Sequence, residues 1–275
     1  MKQRNIILII ITLLLVTACS QKDNDPTSAP QTESDQRETL TIFAAASLTE
    51  AFSELGERYE AEHPNVRVMF NFAGSQRLAQ QLAHGAPADI FASANQLQML
   101  AAANADRVDP EDMEMFIGNQ LVIVYPLDNP GYIRRPLDLS YPIVDLVLAA
   151  EEVPAGQYTM KYLDNASQDD ALGSDYKSKV LENVVSYEEN VRAVLSKVQL
   201  GEADAGIVYE SDISSLSPRQ IGSVEIPSPL NIYANYYIAP VMDSTQSELA
   251  EDFISFVFST EGQDILIKYG FLPLF

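Results

Sequence analysis

The stretch LTIFAAASLTEAFSELGERY, Leu40–Tyr59, decides the fold. Leu40 to Ala46 is a nearly continuous apolar run, the pattern of a strand buried on both faces of a parallel sheet. Leu48, Ala51, Phe52, Leu55 and Tyr59 then share one face of a helix that stops near Pro64. Between strand and helix stands Ser47, with Glu50 three residues on, the spacing of a capping box. Ser47 either only caps that helix, or the helix end is itself a binding site.

Outward from this stretch the same grammar repeats. Val66–Phe72 alternates as a strand, and Leu78, Ala79, Leu82 and Ala83 give a short helix. Asp89–Ser93 is a third strand, and Leu97 and Leu100 mark a further helix. Leu121–Tyr125, Val144–Ala149 and Ala205–Tyr209 read as strands. Helices are predicted over Gly156–Ala166 and Asp175–Leu181, and around Val191, Val194, Leu195 and Val198. A last helix carries Leu249, Phe253, Phe256 and Val257. Alternating strands and helices predict an α/β fold with right-handed, mostly parallel sheets. Two such units, with long extended segments at Asn119–Pro126 and Asn231–Pro240, predict two lobes joined by paired crossovers. Residues 39–120 and 235–275 would form lobe 1, residues 121–234 lobe 2, and hinge closure over a cleft is available.

The N-terminus carries Lys2 and Arg4, then an apolar run from Ile6 to Ala18 that is too short to span a bilayer. Residues 1–18 read as a signal peptide, and the junction Val16-Thr17-Ala18-Cys19 resembles a bacterial lipobox, with cleavage before Cys19 and lipidation of its sulfur. A plain signal peptide or a short anchor is the other reading. Residues 19–38, after the cysteine, hold no large apolar side chain and predict a flexible tether. Together these place the protein outside the cytoplasmic membrane, held to membrane lipid through Cys19. The formal charge of −22 argues against a nucleic-acid partner, whose phosphates require Lys and Arg.

Signals for catalysis are sparse. His63 and His84 each stand beside a turn residue, and Cys19 is the only cysteine, so neither a thiol nucleophile nor a Cys/His metal site is expected. No nucleophile elbow, P-loop or dinucleotide fingerprint occurs. Acidic pairs such as Glu151-Glu152, Asp169-Asp170 and Glu188-Glu189 read as solvated helix ends, although spacing alone leaves a glycosidase pair open. Helix starts are the richer signal. Ser47, Ser75 in FNFAGSQRLA, Ala155 after Pro154, and Val191 after Asn190 each open a predicted helix. Such ends carry unpaired N–H groups and the positive end of a dipole. Each alone reads most simply as a cap; aimed together into one cleft they make a small-anion site.

The strings FAAASL, GAPADIFASA, GNQLVIVYP, VPAGQY, ENVRAVL, GEADAGIVYESD and KYGF, in this order from Leu40 to Phe271, resemble the periplasmic molybdate-binding proteins of ABC importers. The resemblance implies a type II periplasmic-binding fold and a bound molybdate or tungstate oxyanion, with no other cofactor and no metal held directly by side chains. It also implies five ligand residues: Ser47 through hydroxyl and amide, Ser75, the amides of Ala155 and Val191, and the Tyr209 hydroxyl. Without it, Tyr209 would read as a half-buried core ring. Where some relatives carry a run of serines, this chain has Gly74 and Gln76 around Ser75. The implied partners are an ABC permease and its ATPase, and the implied state is a monomer with no enzymatic activity. A sulfate or other oxyanion receptor, an extracytoplasmic sensor domain and an anion-pocket hydrolase are the alternatives.

Overall fold

In the computed structural model, which describes residues 37–214, 216 and 220–274, the first strand, β1 (Glu38–Ala45), is fully buried at Leu40, Ile42 and Ala44. The readings for residues 1–36, including the signal peptide and Cys19, lie outside the described residues. After β1 the chain forms α1 (Thr49–Glu62), β2 (Val66–Ala73), α2 (Ser75–Ala83), β3 (Ile90–Ser93) and α3 (Gln96–Ala103). β1 pairs with β2 and β3 in parallel. β4 (Glu114–Tyr125), β5 (Leu146–Ala149), α4 (Pro154–Ala166), α5 (Tyr176–Glu182), β6 (Val184–Glu188), α6 (Val191–Gln199) and β7 (Ala205–Tyr209) follow. β5 pairs with β6 and β7, again in parallel. The chain closes with α7 (Glu210–Ser214), β8 (Gly222–Glu225), β9 (Tyr233–Pro240), α8 (Ser247–Phe258) and α9 (Thr260–Lys268).

The sheet order is β2-β1-β3-β9-β4-β7-β5-β6, with β8 also on β4. The parallel pairing expected from the alternating pattern therefore holds in both wings, while β9 and β4 at the centre run antiparallel to their neighbours. β4 serves both wings. Its first part, to Gln120, pairs with β9, and Leu121–Tyr125 pairs with β7 on one side and β8 on the other.

Burial of the apolar faces drives this arrangement, at about 1.5–3 kcal/mol per large side chain removed from water. Phe52 of α1 packs edge-on against Phe70, Phe116 and Phe253, so one helix face joins three segments distant in sequence. α3 forms where Leu97 and Leu100 mark a helix, and it buries Met99, Ala102 and Ala103 while leaving both leucines outward. The structure departs from expectation elsewhere. β6 was not expected: as the last strand of the order it exposes Val185 and Tyr187, and its apolar alternation points to solvent. β8, four residues long, was also not expected. The single C-terminal helix is two, because Ser259 ends α8 and caps α9 by accepting the Gly262 N–H at 3.1 Å. Among the described residues no helix is long and apolar enough to cross a membrane.

Candidate functional site

β1, β2, β5, β6 and β7 all end at one place, the carboxyl edge of the two parallel wings, where open α/β sheets form their crevices. Ser47 lies just past β1, in a short 3-10 turn over Ala46–Leu48, and is 3% exposed. The expected Ser47–Glu50 capping box is not formed. Leu48 occupies the cap position of α1 without a side-chain bond, and the Glu50 carboxylate is turned to the Arg192 guanidinium. A two-bond charge-assisted fork takes the carboxylate that a single neutral cap bond would otherwise use. The Ser47 hydroxyl instead meets the Tyr236 hydroxyl at 2.8 Å.

Ser75 is the first residue of α2, after Gly74, and its Oγ accepts the Ala94 N–H at 3.0 Å. The Ser75 hydroxyl donates to no acceptor among the described residues, so its proton is free for the space beside it. Pro154 opens α4, as expected, and places Ala155 in the first turn. Gly156 lets that turn sit against β5: a Cβ there would lie 2.0 Å from the Ala150 carbonyl oxygen. Asn190 caps α6, its side chain accepting the Ala193 N–H at 3.0 Å, so Val191 begins the helix as expected. The Ala155 and Val191 amides, within the first turn of their helices, have no intrahelical partner.

Tyr209 ends β7 and is 1% exposed, a buried ring rather than the half-buried one that the residues alone suggest. Its hydroxyl has no hydrogen-bond partner among the described residues. Burial, and then the nearby Tyr236 ring, push its pKa well above the usual tyrosine value, yet the two hydroxyls do not meet in bonding geometry. Ser47, Ser75, Ala155, Val191 and Tyr209 line one pocket, together with Gly74 and Ala94, and no charged side chain lines it.

Charges stand behind and around the pocket instead. Asp212 is fully buried and its Oδ2 accepts the Tyr209 N–H at 3.0 Å. Burial raises its pKa to about 7, against the opposing pull of Arg192. Polar bonds join the two wings around the pocket: Gln76 Nε2 to the Glu189 carbonyl at 2.8 Å, Arg77 to the Glu189 carboxylate at 2.8 Å, and Asn95 Nδ2 to Gln157 Oε1 at 3.0 Å. Gly74 permits this approach, since a Cβ there would lie 2.6 Å from the Glu189 carbonyl. His63, read as a solvated loop residue, stacks on Tyr59 and meets Asp252 at 3.3 Å. His84 bonds to the Gln80 carbonyl and remains exposed.

Sequence reasoning missed Tyr236, Asn119, Arg192 and Asp212. Only Tyr236 had a readable signal: it falls on the inward face of β9 between Ala234 and Ile238, where a hydroxyl needs a partner.

A family model described as bacterial extracellular solute-binding protein matches residues 40–272. The chain is 37% identical over 265 residues to a Mycobacterium tuberculosis protein named molybdate-binding protein ModA, covering 95% of each chain. It is 30% identical over 263 residues, 95% of each chain, to a Bacillus subtilis chain provisionally named ABC transporter substrate-binding lipoprotein YvgL. A Clostridium difficile structure, provisionally described as the substrate-binding domain of a molybdenum ABC transporter, superposes with a TM-score of 0.63 at 30% identity. That superposition covers 86% of this chain and 99% of the other. With a family model over nearly all the described residues and a relative matched over 95% of each chain, the chain belongs to the bacterial extracellular solute-binding proteins, in company with ModA.

Proposed function

We propose that the protein is an extracytoplasmic substrate-binding lipoprotein that captures molybdate or tungstate and delivers it to an ABC importer. The observation that carries the proposal is the convergence of Ser47, Ser75, Ala155, Val191 and Tyr209 on one pocket without a charged side chain. The five positions come from five separate strand ends, and the Tyr209 hydroxyl is buried without a partner. Each hydrogen bond to a charged group contributes about 1.5–3 kcal/mol, so five or more reach sub-micromolar affinity after the cost of association. Neutral donors also tolerate the acidic surface, because charges beyond about 8 Å are largely screened at physiological salt.

Donors without acceptors favour a fully deprotonated tetrahedral anion. The names of the relatives favour molybdate among such anions. In this reading residues 39–120 with 235–275 and residues 121–234 act as two lobes that close on the ligand, and the polar bonds between the wings hold the closed form. Cys19 carries the lipid that keeps the monomeric protein at the membrane, beside its permease and ATPase, and no reaction is catalysed.

Calorimetry of the purified protein with molybdate, tungstate, sulfate and phosphate tests the proposal. Tight binding of molybdate or tungstate is expected. Preference for sulfate would make it a sulfate receptor, and binding of none of the four would overturn the reading.

A further inference from the structure

Behind the pocket, Ser47 is the last member of a hydrogen-bonded chain that starts at Asn119. The Asn119 side chain is fully buried, and its Oδ1 accepts the Gln120 backbone N–H at 2.9 Å. That bond fixes the amide's orientation, because a backbone N–H cannot be satisfied by an NH₂ group. Nδ2 is therefore the donor on the opposite side, to Ser211 Oγ at 2.8 Å and to Tyr236 Oη at 3.3 Å.

Tyr236 Oη in turn meets Ser47 Oγ at 2.8 Å. Both hydroxyls own a single proton, so the direction of this bond decides what the pocket sees. Were Ser47 the donor, the Tyr236 proton would have no acceptor among the described residues, in a side chain that is 0% exposed. A buried donor left unmade carries the full desolvation cost. With Tyr236 as donor, its proton and both Asn119 Nδ2 protons are used. The Ser47 proton is then left facing the pocket that Ser47 lines.

We propose that Tyr236, held by Asn119, is a positioning residue that commits the Ser47 hydroxyl to donate into the pocket. The proposal rests on the oxyanion reading of that pocket. Its chemical consequence is polarity. Ser47 receives its bond from Tyr236 just as Ser75 receives one from the Ala94 amide. Both serines therefore present a proton to the ligand, and an anion oxygen that carries its own proton meets a donor instead of an acceptor.

A double-mutant cycle on the full chain tests the proposal, using calorimetric molybdate affinity of the wild type, Ser47→Ala, Tyr236→Phe and the double variant. Tyr236→Phe is expected to weaken binding about three- to tenfold in the wild type. In the Ser47→Ala background the same change should cost nothing beyond error. A purely structural tyrosine would weaken both backgrounds equally, and that result would overturn the proposal. Asn119→Asp gives a second variant, in which an acceptor-only carboxylate draws the Tyr236 proton and turns the chain round. It is expected to lose more than about tenfold in affinity with Ser47 present and much less without it; unchanged affinity overturns the proposal. A wild type that binds no oxyanion defeats the parent reading instead, and Ser47→Ala without effect removes Ser47 from the site.

Discussion

Arg192 of α6 forks onto Glu50 of α1, Nη1 reaching Oε2 at 3.2 Å and Nη2 bonding Oε1. The bond joins the helix that follows Ser47 to the helix that begins at Val191, so it links two helix starts on opposite wings of the pocket. Both side chains are about one-third exposed, which leaves the pair partly screened and worth roughly 1 kcal/mol.

On the proposed function, Glu50→Gln acts on how long the bound anion is retained. The dissociation rate for molybdate should rise about three- to tenfold with little change in the association rate, because a short-range fork acts after encounter. Stopped-flow tyrosine fluorescence measures it, since the chain has 13 tyrosines and no tryptophan. An unchanged dissociation rate would leave the fork without a role in retention.

Tyr209→Phe should move affinity and stability in opposite directions. The hydroxyl is buried and unpartnered without ligand, so its removal relieves a desolvation cost of about 1–3 kcal/mol. The ligand-free melting temperature should rise or hold, while molybdate affinity falls by about 1–3 kcal/mol for the lost bond. A variant that loses both stability and affinity would show that the hydroxyl has a protein partner instead.

Asp212 predicts a pH dependence with a defined sign. Its pKa is raised by burial from 3.8 to about 7, so between those values the folded protein holds a proton that the unfolded chain has released. Its contribution to stability is then present below pH 4, falls as pH rises toward 7, and levels off above. Asp212→Asn keeps an acceptor for the Tyr209 N–H and removes the titration. Melting temperatures across pH 4–8 should show the variant gaining on the wild type through this window, and a constant difference would refute the assignment.

Gly156→Ala tests the floor of the site. A Cβ 2.0 Å from the Ala150 carbonyl and 2.7 Å from the Ala149 carbonyl meets backbone, which cannot swing aside. The first turn of α4 must shift, at a cost of about 1–3 kcal/mol in stability. The Ala155 amide shifts with it. Denaturant midpoint and molybdate affinity should both fall, the affinity by at least about tenfold on loss of an aligned bond.

The fold was legible in the sequence where burial was one-sided or complete. β1, β7 and the amphipathic helices α1 and α6 stand near their expected places, because their apolar residues face the core. β6 was hidden because an edge strand carries Val185 and Tyr187 on its solvent side. The positions of Ser75, Ala155 and Val191 followed from local helix-start chemistry, which acts over a few residues. Tyr209 as a pocket residue required the family resemblance, since nothing local separates a pocket hydroxyl from a core ring. The capping box failed because its Glu50 found Arg192, 142 residues away, a partner that no local pattern announces.

The position of β9 bears on how the molecule is made. This strand, near the end of the chain, lies between β3 and β4 in the middle of the sheet. Until Tyr233–Pro240 is available, β3 lacks the neighbour on that side, and so does the first part of β4. Both are then open edges in an incomplete product. Folding from the N-terminus can start but cannot close, and the long sequence separations make closure slow. For a chain proposed to act outside the cytoplasm, that delay would suit export ahead of folding. The last central strand postpones the native state until nearly the whole polypeptide has emerged.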